Sequence, residues 1–509
     1  MGMSKPVFKS YQQNQTYLFP PSLEDMIASN HPVRVVSEVI DRIDMDIIIN
    51  KYKGGGSSSY HPRMLLKVMI YSYLNNVYSS RRMEASIKEN IYFMWLAGMQ
   101  QPDHHTINRF RSERLRHILK EVFAQVVMLL VESGHVGLQE IYTDGSKIES
   151  AANRYSFVWG KAIKTNRERI GKQLQELWRY TQKVAKAEKG DDPPPDFDQI
   201  DSKSVKQTID KIDEVLKDLE EVDSKVKQKL NYAKNNWPAK LKQYAKQEKI
   251  LAGRNSYSKT DEGATFMRMK EDYMVNGELK PGYNVQVSTN NQFVVNYSLH
   301  PNPTDIKTLI PHLKQHKKLY GSLPQVQVAD AGYGSEENYQ YLHSRKIEAY
   351  IKPADFDRKR KRNYTPNSFS STQLPYDADK DIYWCPAGTP MRNIGQYNKK
   401  EHGILKTYTK YKASGCRNCP LRDACHKQKG NRIISVNHRG RALRLQAEER
   451  LMTEKGIYYR KKRPVDVEPV FGNIKYNKNF KRFLLKGIDK TEIEWGLICL
   501  AHNLKKICA

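Results

Sequence analysis

The chain has 509 residues, with 85 Lys and Arg against 56 Asp and Glu, a net charge of +29 and a pI near 9.6. Hydrophobic residues at 39% and charged ones at 28% describe a globular chain of roughly three domains and exclude a fibrous or wholly disordered one. The longest apolar run, residues 123–131, is far short of the roughly 20 residues that span a bilayer, and the start has no signal-like apolar stretch, so a cytosolic protein with no membrane span is expected.

The basic surplus recurs at 358–362 (RKRKR), 458–464 (YYRKKRP) and 478–487 (KNFKRFLLKG). Clustered Lys and Arg bind polyanions by displacing counterions from phosphates, so nucleic acid is the expected partner and an anionic membrane surface the weaker one.

Residues 1–135 read as an all-helical, helix-turn-helix-like DNA-binding domain. After GGGSSS at 54–59, HPRMLLKVMIYSYLNN has amphipathic spacing, SSRRMEASIKEN opens on a serine cap, and Asp103 caps PDHHTINRFRSERLRHIL. Arg109, Arg111, Arg114 and Arg116 on that last helix are expected to face DNA, with a plain three-helix bundle as the alternative. Residues 136–160 begin an α/β core with a strand ending at Asp144. Residues 161–255 carry apolar positions at helical spacing: Ile163, Ile170, Leu174, Leu177 and Val184, then, after GDDPPPDFDQ, Val205 through Leu219 to Leu230, with Asp223 interrupting. They read as a protruding helical hairpin.

Residues 256–355 return to strand texture: YNVQVST and FVVNYSL joined by NNQ as a hairpin, a helix from Asp305 to Tyr320, the strand QVQVADAGY ending at Asp330, a helix, and IEAYIKP. Such an order makes a mixed α/β sheet flanked by helices. Residues 356–445 form a cysteine-rich insert, and 446–509 close the chain with helices carrying Glu468.

Asp144, Asp330 and Glu468 are the acids that context singles out. Strand ends project into a shared crevice, and a crossing helix can add a third side chain. Three carboxylates there would repel one another unless a hard cation joined them, which points to magnesium or manganese and in-line phosphoryl displacement. The glycines of DAGYG would clear space for metal and phosphate. The helix VEPVFGNIK is expected to bury Val467, Val470, Phe471 and Ile474 and to present Glu468 and Lys475 together, the lysine toward a phosphate.

Four of six cysteines lie within 385–425: Cys385, Cys416, Cys419 and Cys425. A C-x2-C pair with two more thiols suits a structural zinc, with His426 or His402 able to replace one ligand and a small thiol core as the alternative. Cys499, and Cys508 after it, read as core.

The stretches YTDGSKIESAANRYSFVW, YNVQVSTNNQFVVNYSLHPNPTDIKTL, VADAGYGSEENY and VEPVFGNIKYNKNFKRFLLKG, in this order, resemble the DDE transposases of bacterial insertion sequences. The resemblance implies a ribonuclease H-like, integrase-like core with Asp144, Asp330 and Glu468 holding two magnesium or manganese ions. It implies cutting and joining of double-stranded DNA at terminal inverted repeats, into target DNA, by a homodimer at the bacterial nucleoid. A Tyr, Arg, Glu, Lys signature of the superfamily fits in part, through Tyr459, Arg463, Glu468 and Lys475, with Arg463 and Tyr459 each one residue out of spacing. Arg463 would contact phosphates flanking the cut, and Arg482 and Lys475 would contact DNA. A nuclease that cuts without joining, and a non-catalytic DNA-binding descendant, are the alternatives.

Overall fold

The computed structural model describes residues 13, 22–52, 58–185, 195–197, 200–217, 222–269, 277–401 and 404–508. Most of GDDPPPDFDQ, together with Leu219, His402 and the glycines of GGGSSS, lies outside the described residues. The chain forms two compact units, Met1–Val136 with Gly496–Ala509, and Gly137–Trp495.

The first unit is helical: α1 (Pro32–Asp41), α2 (Asp46–Ile49), α3 (Pro62–Leu74), α4 (Ser80–Glu89), α5 (Ile91–Ala97), α6 (His104–Arg109) and α7 (Leu119–Glu132). Two His-Pro pairs start helices by one device. His31 and His61 each accept the second helical N–H at 3.2 Å, while the following proline fills the first position, where an N–H would go unused. Asp103 caps α6 by accepting the Thr106 N–H at 2.8 Å, whereas Ser79 precedes α4 without a side-chain cap bond. The last of the three short helices expected here ends as α6 and a π-turn at Phe110–Arg114, and a further helix, α7, follows from Leu119.

In the second unit β1 (Glu140–Glu149) is followed by β2 (Phe157–Trp159) and three helices, α8 (Gly160–Ala185), α9 (Ser202–Lys217) and α10 (Ser224–Leu251). These form a bundle, not a hairpin. Asp223, which interrupts the apolar seam, is the cap of α10 and accepts the Lys225 N–H at 2.9 Å. The seam itself holds: Ile170, Leu174, Leu177, Val205, Ile209, Ile212, Leu216 and Leu230 are buried together with Trp178 and Trp237. β3 (Ser256–Ser258) returns beside β2.

The main sheet adds β4 (Thr265–Arg268), β5 (Leu279–Asn290), β6 (Phe293–His300), β7 (Val326–Ala329) and β8 (Glu348–Ile351), with α11 (Leu309–Tyr320) and α12 (Glu336–Ser344) as the helices between. β5 pairs antiparallel with β1, β6 and β4, and β1–β7–β8 run parallel. The order β6–β5–β1–β7–β8 is that of a mixed sheet compatible with a ribonuclease H-like core. Asn291 and Gln292 join β5 to β6 with both φ values positive, the two-residue turn that matches strand twist.

A second, antiparallel sheet holds β9 (Tyr376–Asp377), β10 (Ile382–Trp384), β11 (Pro390–Glu401), β12 (Ile404–Lys412) and β13 (Ile433–Val436), with the short α13 (Arg422–Cys425) before β13. Its core is Leu374, Tyr383, Met391, Tyr411 and Ile434, with Cys385 and Cys416 packed against it. The chain ends in α14 (His438–Met452), α15 (Glu454–Asp466), α16 (Glu468–Gly472) and α17 (Ile488–Ile507). Among the described residues no helix is long and apolar enough to cross a membrane.

Candidate active site

Register brings the two aspartates side by side. β1 and β7 are parallel and Thr143 pairs with Ala329, so the next residues, Asp144 and Asp330, leave neighbouring strands at the same level. Asp330 ends its strand, as the sequence implies, but Asp144 does not. β1 continues to Glu149 because β5 stays paired with it from Tyr142 to Glu149, Gly145 included.

Each aspartate commits one oxygen to the backbone: Oδ1 of Asp144 accepts the Gly145 N–H and Oδ1 of Asp330 the Gly332 N–H, both at 2.8 Å. Their Oδ2 atoms face Arg463, whose Nη2 lies 3.4 Å from Asp144 and 4.0 Å from Asp330. Its Nη1 is 3.2 Å from Oε1 of Glu468. One guanidinium therefore reaches all three acids that sequence reasoning selects, although they are spread over more than 300 residues of chain. Burial grades the trio: Asp144 is 7% exposed, whereas the Glu468 side chain is 56% exposed.

The placement of Arg463 and Glu468 is set by Asp466 between them. Its buried carboxylate accepts the Thr289 hydroxyl at 2.6 Å and the Gln292 N–H at 3.3 Å, which ties the end of α15 to the β5–β6 turn. The spacing of these residues carries no sign of that bond, and sequence reasoning does not select Asp466.

Several side chains sit otherwise than expected. Arg463 points inward at the acids rather than outward at a phosphate. Lys475 is buried at 4% exposure on a π-turn, Asn473–Asn477, that shifts the helical register after α16, so it does not share an exposed edge with Glu468. The apolar half of that expectation holds, with Val467, Val470, Phe471 and Ile474 all buried. The Tyr459 hydroxyl bonds Glu140 at 3.1 Å and its ring packs on Tyr350, near the start of β1. Of the DAGYG glycines, Gly332 borders the acids, but a Cβ on Gly334 would strike the Lys352 carbonyl at 2.6 Å, so that glycine serves packing.

Among the four arginines of the first unit, Arg111 is buried and donates to the Tyr78 carbonyl at 2.8 Å and to Tyr73 and Asn108, so it holds helices together and cannot face DNA. Arg114 bonds the Lys51 carbonyl and covers the Tyr52 ring, while Arg109 and Arg116 are exposed. In the second unit, Arg482 is half exposed and donates to the carbonyls of Ser150 and Ala152.

Cys385, Cys416, Cys419 and Cys425 line one cavity of about 20 Å³ together with His426. Backbone N–H groups of Thr389 and Arg432 point at the sulfurs of Cys385 and Cys416, and the Arg432 guanidinium donates to Cys425 at 3.0 Å. Cys499 is buried, as a core thiol should be. Among the described residues no three His, Cys, Asp or Glu side chains stand close enough to hold a metal ion as they are arranged. The acids are spaced about a guanidinium, and carboxylate oxygens are the donors that a hard divalent cation takes.

Two stretches match known families. Residues 384–508, which include the cysteines, Arg463, Glu468 and Lys475, match the model described as "Transposase DDE domain". Residues 21–113 match "Transposase domain (DUF772)". No curated protein matches the chain, and no solved structure does. Its helical front and its C-terminal quarter thus both resemble transposase domains, which is consistent with a DDE transposase of insertion sequences.

Proposed function

We propose that this chain is a DDE transposase that binds the terminal inverted repeats of its element as a homodimer, hydrolyses a phosphodiester and joins the freed 3′ end to target DNA. The observation that carries the reading is the meeting of Asp144, Asp330 and Glu468 on the guanidinium of Arg463, in a mixed sheet compatible with a ribonuclease H-like core.

Asp144, Asp330 and Glu468 would hold the divalent ions through the oxygens now turned to Arg463. Bound magnesium supplies charge neutralisation and activation of the attacking oxygen, for water and for a sugar hydroxyl alike. The backbone bonds to Asp144 and Asp330 keep both carboxylates from turning away, so the site is ordered before DNA arrives. Arg463, released from the acids, is long enough to neutralise a phosphate beside the cut. The net charge of +29 supports DNA as the partner. The four cysteines would hold a structural zinc: soft thiolates around one small cavity, with N–H donors aimed at the sulfurs, are the surroundings such an ion uses.

The test is joining. Duplexes carrying the element's ends, incubated with the protein, magnesium and a supercoiled plasmid, should give plasmids with end DNA covalently attached. Cleaved ends with no joined product would reject the transposase reading in favour of a nuclease.

A further inference from the structure

Asp305 opens the short turn Asp305–Lys307 between β6 and α11, where TDIKTL reads in sequence as an ordinary helix start. In the fold its carboxylate lies against the site. Oδ1 accepts the side-chain amides of Asn284 at 2.7 Å and Gln286 at 3.0 Å, both from β5. A Cβ on Gly145 would come within 2.7 Å of that oxygen, and one on Gly332 within 3.3 Å of Oδ2.

Those glycines follow Asp144 by one residue and Asp330 by two. The missing side chain of Gly145 leaves room for both the Gln286 amide and the Asp305 carboxylate, and Gly332 leaves that carboxylate close beside Asp330. Among the described residues no hydrogen bond reaches its Oδ2. The turn is held from below as well, since α11 is tied to the sheet by His312, whose ring nitrogens contact Ser288 at 2.8 Å and Ser298 at 2.7 Å. The buried Tyr333 hydroxyl, which donates to Gln286, is pushed well above its usual range by burial and then by the charges of Asp305, Asp144 and Asp330.

Building on the reading of Asp144, Asp330 and Glu468 as a divalent-cation site, we propose that Asp305 is a positioning residue of that site. It is a fixed negative charge, clamped by Asn284 and Gln286, that sets the spacing of Asp144 and Asp330 and raises their affinity for the cation without binding it. Groups behind the ligands of a metal change its affinity by roughly 10- to 100-fold when removed. A neighbouring charge in a partly desolvated site acts in the same direction, because each added carboxylate increases the demand for positive charge.

Manganese binding to the full chain, followed by electron paramagnetic resonance without DNA, tests this directly. Wild type, Asp305→Asn, Asp305→Ala and Asp330→Asn are compared, with duplex DNA binding as the check on folding. The Asn variant turns an amide toward two amide donors and can disturb the clamp, so Asp305→Ala decides if it fails to fold. The expected result is manganese affinity lowered about tenfold or more in the Asp305 variants, DNA binding retained, and DNA cleavage recovered by raising magnesium, which a merely structural defect would not allow. Wild-type manganese affinity in Asp305→Ala, alongside loss of binding in Asp330→Asn, overturns the proposal. Wild-type affinity in Asp330→Asn places the failure one step earlier, in the triad, and the proposal falls with it.

Discussion

Arg463 meets three carboxylates with a single positive charge, and its side chain is only 13% exposed. That single charge offsets part of the repulsion among the three carboxylates, which are spaced about the guanidinium. Asp144 lies inside β1, whereas the strand end at Asp330 was readable from sequence because that context is local. The direction of the Arg463 side chain was not, since spacing fixes a residue's place on a helix and leaves its partner to tertiary packing. Lys475 shows the same limit: its seven-residue spacing from Glu468 holds in sequence, yet a π-turn puts it inside. Another buried group gives a pH test. His316 is buried with neither ring nitrogen hydrogen-bonded, and burial lowers its pKa to about 4. Below pH 6.5 the unfolded chain takes up a proton that the folded chain refuses. Stability should therefore fall as pH drops from 6.5 toward 4, by up to about 3 kcal/mol from this residue. Urea unfolding of His316→Phe against wild type at pH 7.5 and pH 5 should show a smaller loss in the variant.

At the scale of elements, the site depends on how α15 and α16 are hung on the sheet. Asp466 is the tie, and both its partners come from the β5–β6 hairpin. Replacing it with alanine removes two hydrogen bonds to a buried charge and should cost about 2–4 kcal/mol. Because Arg463 and Glu468 flank it, cleavage should fall by at least tenfold even below the melting temperature. Thermal unfolding together with single-turnover cleavage would check both effects. Sequence periodicity captured the hairpin with its NNQ turn, the strand QVQVA and the apolar seam of α8 to α10. It misjudged two connections. Asp-Gly at 144–145 resembles a turn but lies within β1, because the ladder with β5 continues through it. Asp223 resembles a flaw in one long seam but starts a new helix. In both cases a short polar residue is locally ambiguous between interruption and termination, and only neighbouring elements decide.

For the whole molecule, a basic chain, two transposase-domain matches and a mixed sheet support the proposal of a transposase whose chemistry rests on one crevice. The cysteine-bearing sheet adds a compact satellite core, and the three-helix bundle a second one with its own buried tryptophans. Magnesium-dependent cleavage of duplexes bearing the element's ends, wild type against Asp330→Asn, tests the central claim most directly. The account predicts cleavage reduced by at least a thousandfold, about 4 kcal/mol of barrier, with the variant still binding the same DNA. Cleavage at the wild-type rate by Asp330→Asn would contradict it.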